Sequence, residues 1–328
     1  MSGGLAITLD RAGDRVQAEL ALTPGPAPAR LLAGRGAAEA AALVPLVFNL
    51  CAVAQGRAAR AALGLAGHDA GEETALRQEH LRDHLHCFAV AWPALLGQGP
   101  DNDLLAAAGA LARGEGAALR ERLTGRAADL GDLDGPGLDR VLAAGETPLL
   151  RLLAALRRRL QPSWGRASLP APTPSDVAGR LAGGQAPLCE TTALDHVAGR
   201  PLVAALAAAE GRSLFLRMIG RVLDCLRVLD PRALIAPALA PAPGVGIAAA
   251  VRGVLGHRAE LRDGRVADYR LLAPTDWNLA PGGILARVLN ALPAGEDLPF
   301  LARLAISCIN PCVPTVLAID GRRYGPHA

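Results

Sequence analysis

Apolar and polar positions alternate over the first 22 residues. Leu5, Ile7 and Leu9 share one face, and Val16, Ala18 and Leu20 do so after Ala12-Gly13-Asp14. A period of two predicts a β-hairpin over about 5–22. The Pro-rich connector Thr23 to Pro28 then leads to a helical region from about Ala37, where Pro45 forces a break or kink and leaves Cys51 near a helix end. From Glu72 to about Trp92 the period changes: Leu76, His80, Leu81, His84, Leu85 and Phe88 recur at helical spacing. Gly99 to Leu160 reads as Gly- and Ala-rich helix broken by short loops, Gln161 to Pro174 as a long connection, and helices resume over Ser175–Leu181, Pro201–Ala209 and Arg212–Leu229. After a second Pro-rich passage, Pro231 to Gly246, the segment Ala259 to Leu272 centres on Asp263-Gly264 between alternating apolar residues, which predicts a hairpin with a type I′ turn. Helices over Gly282–Leu292 and Leu298–Ile306 deliver the chain to Cys308 and Cys312.

The 328 residues form one large domain or two ordinary ones. Hydrophobic residues are 51% of the chain but aromatics only 3%, so helices rich in alanine and leucine are favoured and an all-β sandwich is excluded. Every basic residue is arginine, and 34 against 31 acidic residues give a net charge of +3, no case for a nucleic-acid partner. Arg157-Arg158-Arg159 reads as a solvated helix end. Ala40–Gly56 and Ala233–Val251 are charge-free, but proline and amide side chains interrupt the first and prolines the second, so no membrane span is expected.

Six cysteines are scattered over the chain, and its start lacks the basic and apolar regions of a secretory signal, so reduced thiols in the cytoplasm are expected. Residue by residue the chemistry is open. Cys308 and Cys312 are spaced for one helix face, but Pro311 disrupts it, and buried apolar thiols compete with metal ligands as the reading. His80 and His84 lie four apart without an HExxH pattern and read as structural or capping histidines. No P-loop, dinucleotide fingerprint or GxSxG elbow is present.

The most specific stretch runs from Val251-Arg252-Gly253-Val254-Leu255-Gly256-His257 through the Asp263-Gly264 hairpin to Pro274-Thr275-Asp276-Trp277-Asn278 and Pro281. In order and spacing it resembles the large subunit of nickel–iron hydrogenases. Leu50-Cys51-Ala52-Val53-Ala54 resembles that family's amino-terminal Cys-Gly-Val-Cys motif with Ala54 for the second cysteine, and Leu81 to Phe88 resembles the helix that follows it. Asn310-Pro311-Cys312-Val313-Pro314-Thr315 resembles the carboxy-terminal Asp-Pro-Cys-x-x-Cys motif, with Asn310 for the aspartate and Thr315 for the second cysteine. In the family the first cysteine of each motif is a terminal nickel ligand and the second bridges nickel to iron. Two thiolates cannot build that dinuclear site, because alanine donates nothing and a threonine hydroxyl is a poor soft-metal ligand. The histidine at the family's maturation cleavage point is matched by Ala318.

A shortened large-subunit homologue with two motif cysteines lost resembles the HupK/HoxV accessory proteins of hydrogenase operons. The resemblance implies a mainly α (α+β) fold: a single large-subunit-like helical domain over 1–328, with small hairpins at about 5–22 and 259–272 and both motif segments at its centre. It implies a non-enzymatic maturation scaffold that transiently holds iron with cyanide and carbon monoxide ligands between Cys51 and Cys312, with Arg252 beside the diatomic ligands and no nickel. The implied partners are maturation proteins of the HypC/HypD type and the hydrogenase large-subunit precursor. Two alternatives are a diverged hydrogenase-like redox enzyme that recruits Cys308, and a metal-free interaction protein of the same fold. Cys87, Cys189 and Cys225 are left as ordinary thiols.

Overall fold

Leu5, Ile7 and Leu9 do lie on one buried face, and the strand that carries them pairs with both ends of the chain. The computed structural model describes residues 3–25, 29–48, 50–65, 70–126, 129–233, 235 and 238–327. Parts of both Pro-rich passages, 26–28, 234, 236 and 237, lie outside the described residues. The elements are β1 (Gly4–Ala12), β2 (Arg15–Thr23), α1 (Ala29–Leu32), α2 (Ala37–Val47), α3 (Ala52–Ala62), α4 (Ala70–His86), α5 (Trp92–Leu95), α6 (Asn102–Ala106), α7 (Gly116–Thr124), α8 (Gly135–Ala144), α9 (Pro148–Arg158), α10 (Pro174–Leu181), α11 (Pro201–Glu210) and α12 (Leu214–Leu229). They continue with β3 (Val245–Ala250), β4 (Gly253–Arg262), β5 (Arg265–Leu272), α13 (Pro274–Asn278), α14 (Ile284–Asn290), α15 (Leu298–Ile309), β6 (Thr315–Ile319) and β7 (Arg322–His327). The α+β fold class expected from the sequence is the one observed.

Two sheets flank the helices. In the first, of order β2-β1-β6-β7, β1 pairs antiparallel with β2 and parallel with β6, from Leu5 opposite Thr315 to Leu9 opposite Ile319. The second, β3-β4-β5, is antiparallel, and both residues of its Asp263-Gly264 turn have positive φ, 52° and 71°, as a type I′ turn requires. Strands β3, β6 and β7 were not expected. VGIAAA in β3 shows no alternation because the sheet is covered on both faces: a Cβ at Gly246 would meet the Ala58 carbonyl of α3 at 2.0 Å, and one at Gly256 would meet Val177 of α10 at 2.5 Å.

Helix α12 sits at the centre. Fifteen of its residues are buried, Arg217, Arg221 and Asp224 among them, so its polar groups must be paired within the protein. The long helix expected to stop before Pro93 instead passes through it: α4 opens into a wider π-turn, Cys87–Ala91, and continues as α5 with Pro93 in its first turn, where a missing N–H costs little. The arginine run is engaged rather than merely solvated. Arg157 pairs with Glu210 and lies 4.4 Å over the Phe215 ring, and Arg159 lies 3.9 Å over Phe300 while pairing with Asp297. Among the described residues no helix is long and apolar enough to cross a membrane.

Candidate functional site

Cys51 and Cys312 come from opposite ends of the chain and meet. Cys51 is the N-cap of α3, but its side chain caps nothing; the Glu79 carboxylate of α4 accepts from Val53 N–H at 2.8 Å and Ala54 N–H at 3.4 Å instead. The thiol is thereby left free for other partners. Cys312 lies in the loop after α15, which ends on Asn310 in the left-handed conformation (φ 57°), a C-cap that asparagine tolerates. The Cys312 N–H donates to Thr275 Oγ1 at 3.1 Å, so α13 fixes the loop from below. The two thiols are hydrogen-bond partners. That bond, aided by the Arg252 guanidinium and the Thr275 hydroxyl, holds Cys312 down to about 6 against the cost of burial, while it and burial push Cys51 well up. The opposite directions of the two shifts favour Cys51 as the donor and Cys312 as the thiolate of the pair.

Arg252 seats itself over this pair through three of its five N–H donors: Nε and Nη2 to Asp83 Oδ1 at 3.2 and 2.7 Å, and Nη1 to the Pro311 carbonyl at 2.8 Å. Asp83 also accepts from Arg221 Nη2 at 2.8 Å and from Asn310 Nδ2 at 2.8 Å. Burial opposes its ionisation, but Arg252 and Arg221 overcome this and hold its carboxyl far below the usual carboxylate range. An aspartate at 310 would set a second carboxylate against the first, whereas Asn310 donates to it. Arg252 is itself aimed by Gly253, whose φ of 125° turns the chain where a Cβ would lie 2.6 Å from the Thr191 carbonyl. Thr191 is clamped in turn by Asn278, which accepts its N–H at 3.0 Å and donates to its carbonyl at 2.6 Å. Gly253→Ala is therefore expected to cost roughly 1–3 kcal/mol or more in thermal unfolding and to disorder the Arg252 contact.

The bridging positions of the resembled motifs are enclosed and sulfur-free. Ala54 is fully buried, and Thr315 is 2% exposed with its hydroxyl spent on the Val313 carbonyl. Cys308 is directed elsewhere, its Sγ 3.8 Å from the Leu214 carbonyl and its charge neighbours Cys87, Arg217 and Arg221. Burial pushes it up to about 12, Cys87 up to about 11 and Cys225 higher still. The prediction for the site pair is one thiolate appearing in ultraviolet absorption as pH rises through about 6, absent in Cys312→Ala, with first alkylation at Cys312.

Sequence reasoning missed Asp83, Glu79 and Thr275. Asp83 had a readable signal: it stands seven residues after Leu76 and three after His80, within the buried stripe of α4, where an unpaired charge would be intolerable. Residues 185–284, which include Arg252, Thr275 and Asn278, match the family described as nickel-dependent hydrogenase. The chain is 38% identical to the hydrogenase expression/formation protein HupK of Rhodobacter capsulatus, over 95% of this chain and 97% of that protein. The chain belongs to the HupK family. It is also 33% identical to the HupK protein of Azotobacter vinelandii, over 88% of this chain and 90% of that one. In fold it is similar to the nickel–iron–selenium hydrogenase of D. vulgaris Hildenborough, at a TM-score of 0.62 and 14% identity over 92% of this chain and 94% of that one. The HupK family membership and the large-subunit fold thus agree with the sequence reading, and a role in hydrogenase expression or formation follows from the family.

Proposed function

We propose that the chain is a non-enzymatic maturation scaffold that takes an iron atom carrying cyanide and carbon monoxide as cargo between Cys51 and Cys312. The observation that carries this reading is the pairing of the two thiols beside Arg252, with carbon or a spent hydroxyl at the two bridging positions. A low-spin iron already holding strong-field ligands needs few further donors, and thiolate is a suitable soft one. Loading replaces the Cys51 S–H proton with iron. Glu79, whose carboxylate accepts the Val53 and Ala54 N–H groups just after Cys51 and which burial holds up to about 7, is placed to receive that proton. Arg252 keeps two N–H donors beyond its protein contacts, suited to cyanide nitrogen.

In this reading nickel has no place, since a second metal would lack its two bridging thiolates. The redox-enzyme alternative loses its replacement ligand, because Cys308 does not reach the pair. The donor and acceptor are maturation proteins of the HypC/HypD type and the hydrogenase large-subunit precursor, met in the cytoplasm. Protein purified anaerobically from cells expressing the maturation proteins should show infrared bands of bound cyanide and carbon monoxide. Cys51→Ala and Cys312→Ala should each abolish them, and Arg252→Lys should weaken and shift the cyanide bands. Absence of such bands from iron-replete unmutated protein, or their survival in both cysteine variants, would overturn the reading.

A further inference from the structure

A second cluster of metal-ligating side chains lies deeper in the molecule, and the thiol chemistry makes no use of it. His80 and His84, one turn apart on α4, face Asp224 of α12, and His196 joins them from the short 3-10 turn Asp195–Val197. Three imidazole nitrogens converge on one carboxylate oxygen: His84 Nε2 at 2.8 Å, His196 Nδ1 at 3.2 Å and His80 Nδ1 at 3.5 Å from Asp224 Oδ2. His80, His84 and Asp224 are fully buried, and their ligand atoms all lie within 4.8 Å of one another.

The polar atoms are poorly satisfied as they stand. Among the described residues, both nitrogens of His80, both of His196 and Nδ1 of His84 have no hydrogen-bond partner. Polar groups buried unpaired are destabilising, and a carboxylate can accept well from only some of three imidazoles crowding one oxygen. A cation among the lone pairs would remove that conflict. We infer that His80, His84, His196 and Asp224 form a binding site for a first-row divalent cation of the zinc type, distinct from the thiol pair.

Donor type, spacing and supporting contacts agree with it. Three imidazoles and one carboxylate suit zinc, cobalt or nickel rather than magnesium or calcium, which prefer oxygen. Ligands of a tetrahedral zinc with bonds of about 2.0–2.1 Å stand roughly 3.3 Å apart, close to the three nitrogen–oxygen contacts observed, with His80, His84 and Asp224 as the inner set and His196 as the outer donor. The second oxygen of Asp224 is held by Arg227 through Nε at 2.9 Å and Nη2 at 2.7 Å, which turns Oδ2 towards the histidines. His196, the only one of the four with any exposure (10%), marks the side from which an ion enters. Because Asp83 stands between His80 and His84 on α4, a cation here would also stiffen the helix that seats Arg252.

The experiment uses the full chain with Cys51→Ser and Cys312→Ser, so that the thiol pair cannot bind metal. After stripping with a chelator, the protein is titrated with zinc and, separately, with cobalt(II). The expected results are one equivalent of zinc retained after dialysis, the visible bands of tetrahedral cobalt, and a zinc-dependent rise in melting temperature. His80→Gln and His84→Gln, introduced singly and checked for native circular dichroism, should each lose the equivalent and the rise. Zinc X-ray absorption on the chain with intact histidines gives a readout independent of those variants and should show nitrogen and oxygen neighbours only. Failure to retain zinc, retention undiminished in both histidine variants, or sulfur among the zinc neighbours would overturn the inference.

Discussion

Replacing Asp83 by alanine is expected to remove about 3–5 kcal/mol of stability, the range for breaking a buried ion pair by deleting one partner. The figure applies because the two arginines left behind are enclosed: the side chains of Arg221 and Arg252 are 3% and 11% exposed. Asp83 also receives Asn310, so the Cys312 loop loses a mooring at the same time. Denaturant titration should show the midpoint falling with an unchanged slope, and Cys312 should become alkylated faster. Arg252→Met provides the contrast, since Asp83 then keeps Arg221 and Asn310: a smaller stability loss with the guanidinium gone. If the two variants are equally stable, Asp83 is not the anchor of the site.

Mild acid is expected to unfold the protein between about pH 6.5 and pH 4. His257 is buried between Gln55 and Tyr269, donating from Nε2 to Gln55 Oε1 and accepting the Tyr269 hydroxyl at Nδ1, and burial holds it down at about 3. An unfolded histidine takes its proton near 6.5, so below that pH the unfolded chain binds a proton that the native chain refuses, and stability falls as pH falls. Between about pH 6.5 and 4 this single residue withdraws about 3 kcal/mol, and in metal-free protein His80, held at about 4, withdraws about 3 more. The sum approaches the whole stability of many domains, about 5–15 kcal/mol. Glu79 acts in the opposite sense: held up to about 7, it takes a proton in the folded chain before the unfolded one does, but its partial exposure limits the effect. Asp83, held very low, withdraws stability only below about pH 4. Urea midpoints measured from pH 7.5 to 4 should decline steadily, and His257→Gln should flatten the decline. A midpoint constant over that range would refute the assignment.

The elements legible in the sequence were those with a clean period or an explicit turn. Leu5, Ile7 and Leu9 gave the first hairpin, Asp263-Gly264 the second, and the stripe from Leu76 to Phe88 the long helix. Strand β3 escaped because its residues are small, apolar and covered on both faces, so burial erased the alternation that marks a half-exposed strand. Strands β6 and β7 are short, and β6 is defined by its parallel partner over 300 residues away, a relation no local pattern carries. At the site, the motif resemblance pointed to Cys51, Cys312 and Arg252. Their seating on Asp83, Asn310, Glu79 and Thr275 depends on contacts that only the tertiary fold creates. The histidines at 80 and 84 were read as structural because Asp224 and His196, which give them a chemical meaning, are more than 100 residues away.

The parallel seam between β1 and β6 also sets a timetable for synthesis. Residues 4–12 leave the ribosome long before residues 315–319, and until those follow the edge of β1 stays bare. Cys312 stands three residues before that late strand, so the thiol pair cannot assemble on a partial chain. A nascent chain would therefore lack the thiol pair, and contacts so distant along the chain close slowly once both strands have been made. The seam thus delays the pocket until both of its distant halves have been made.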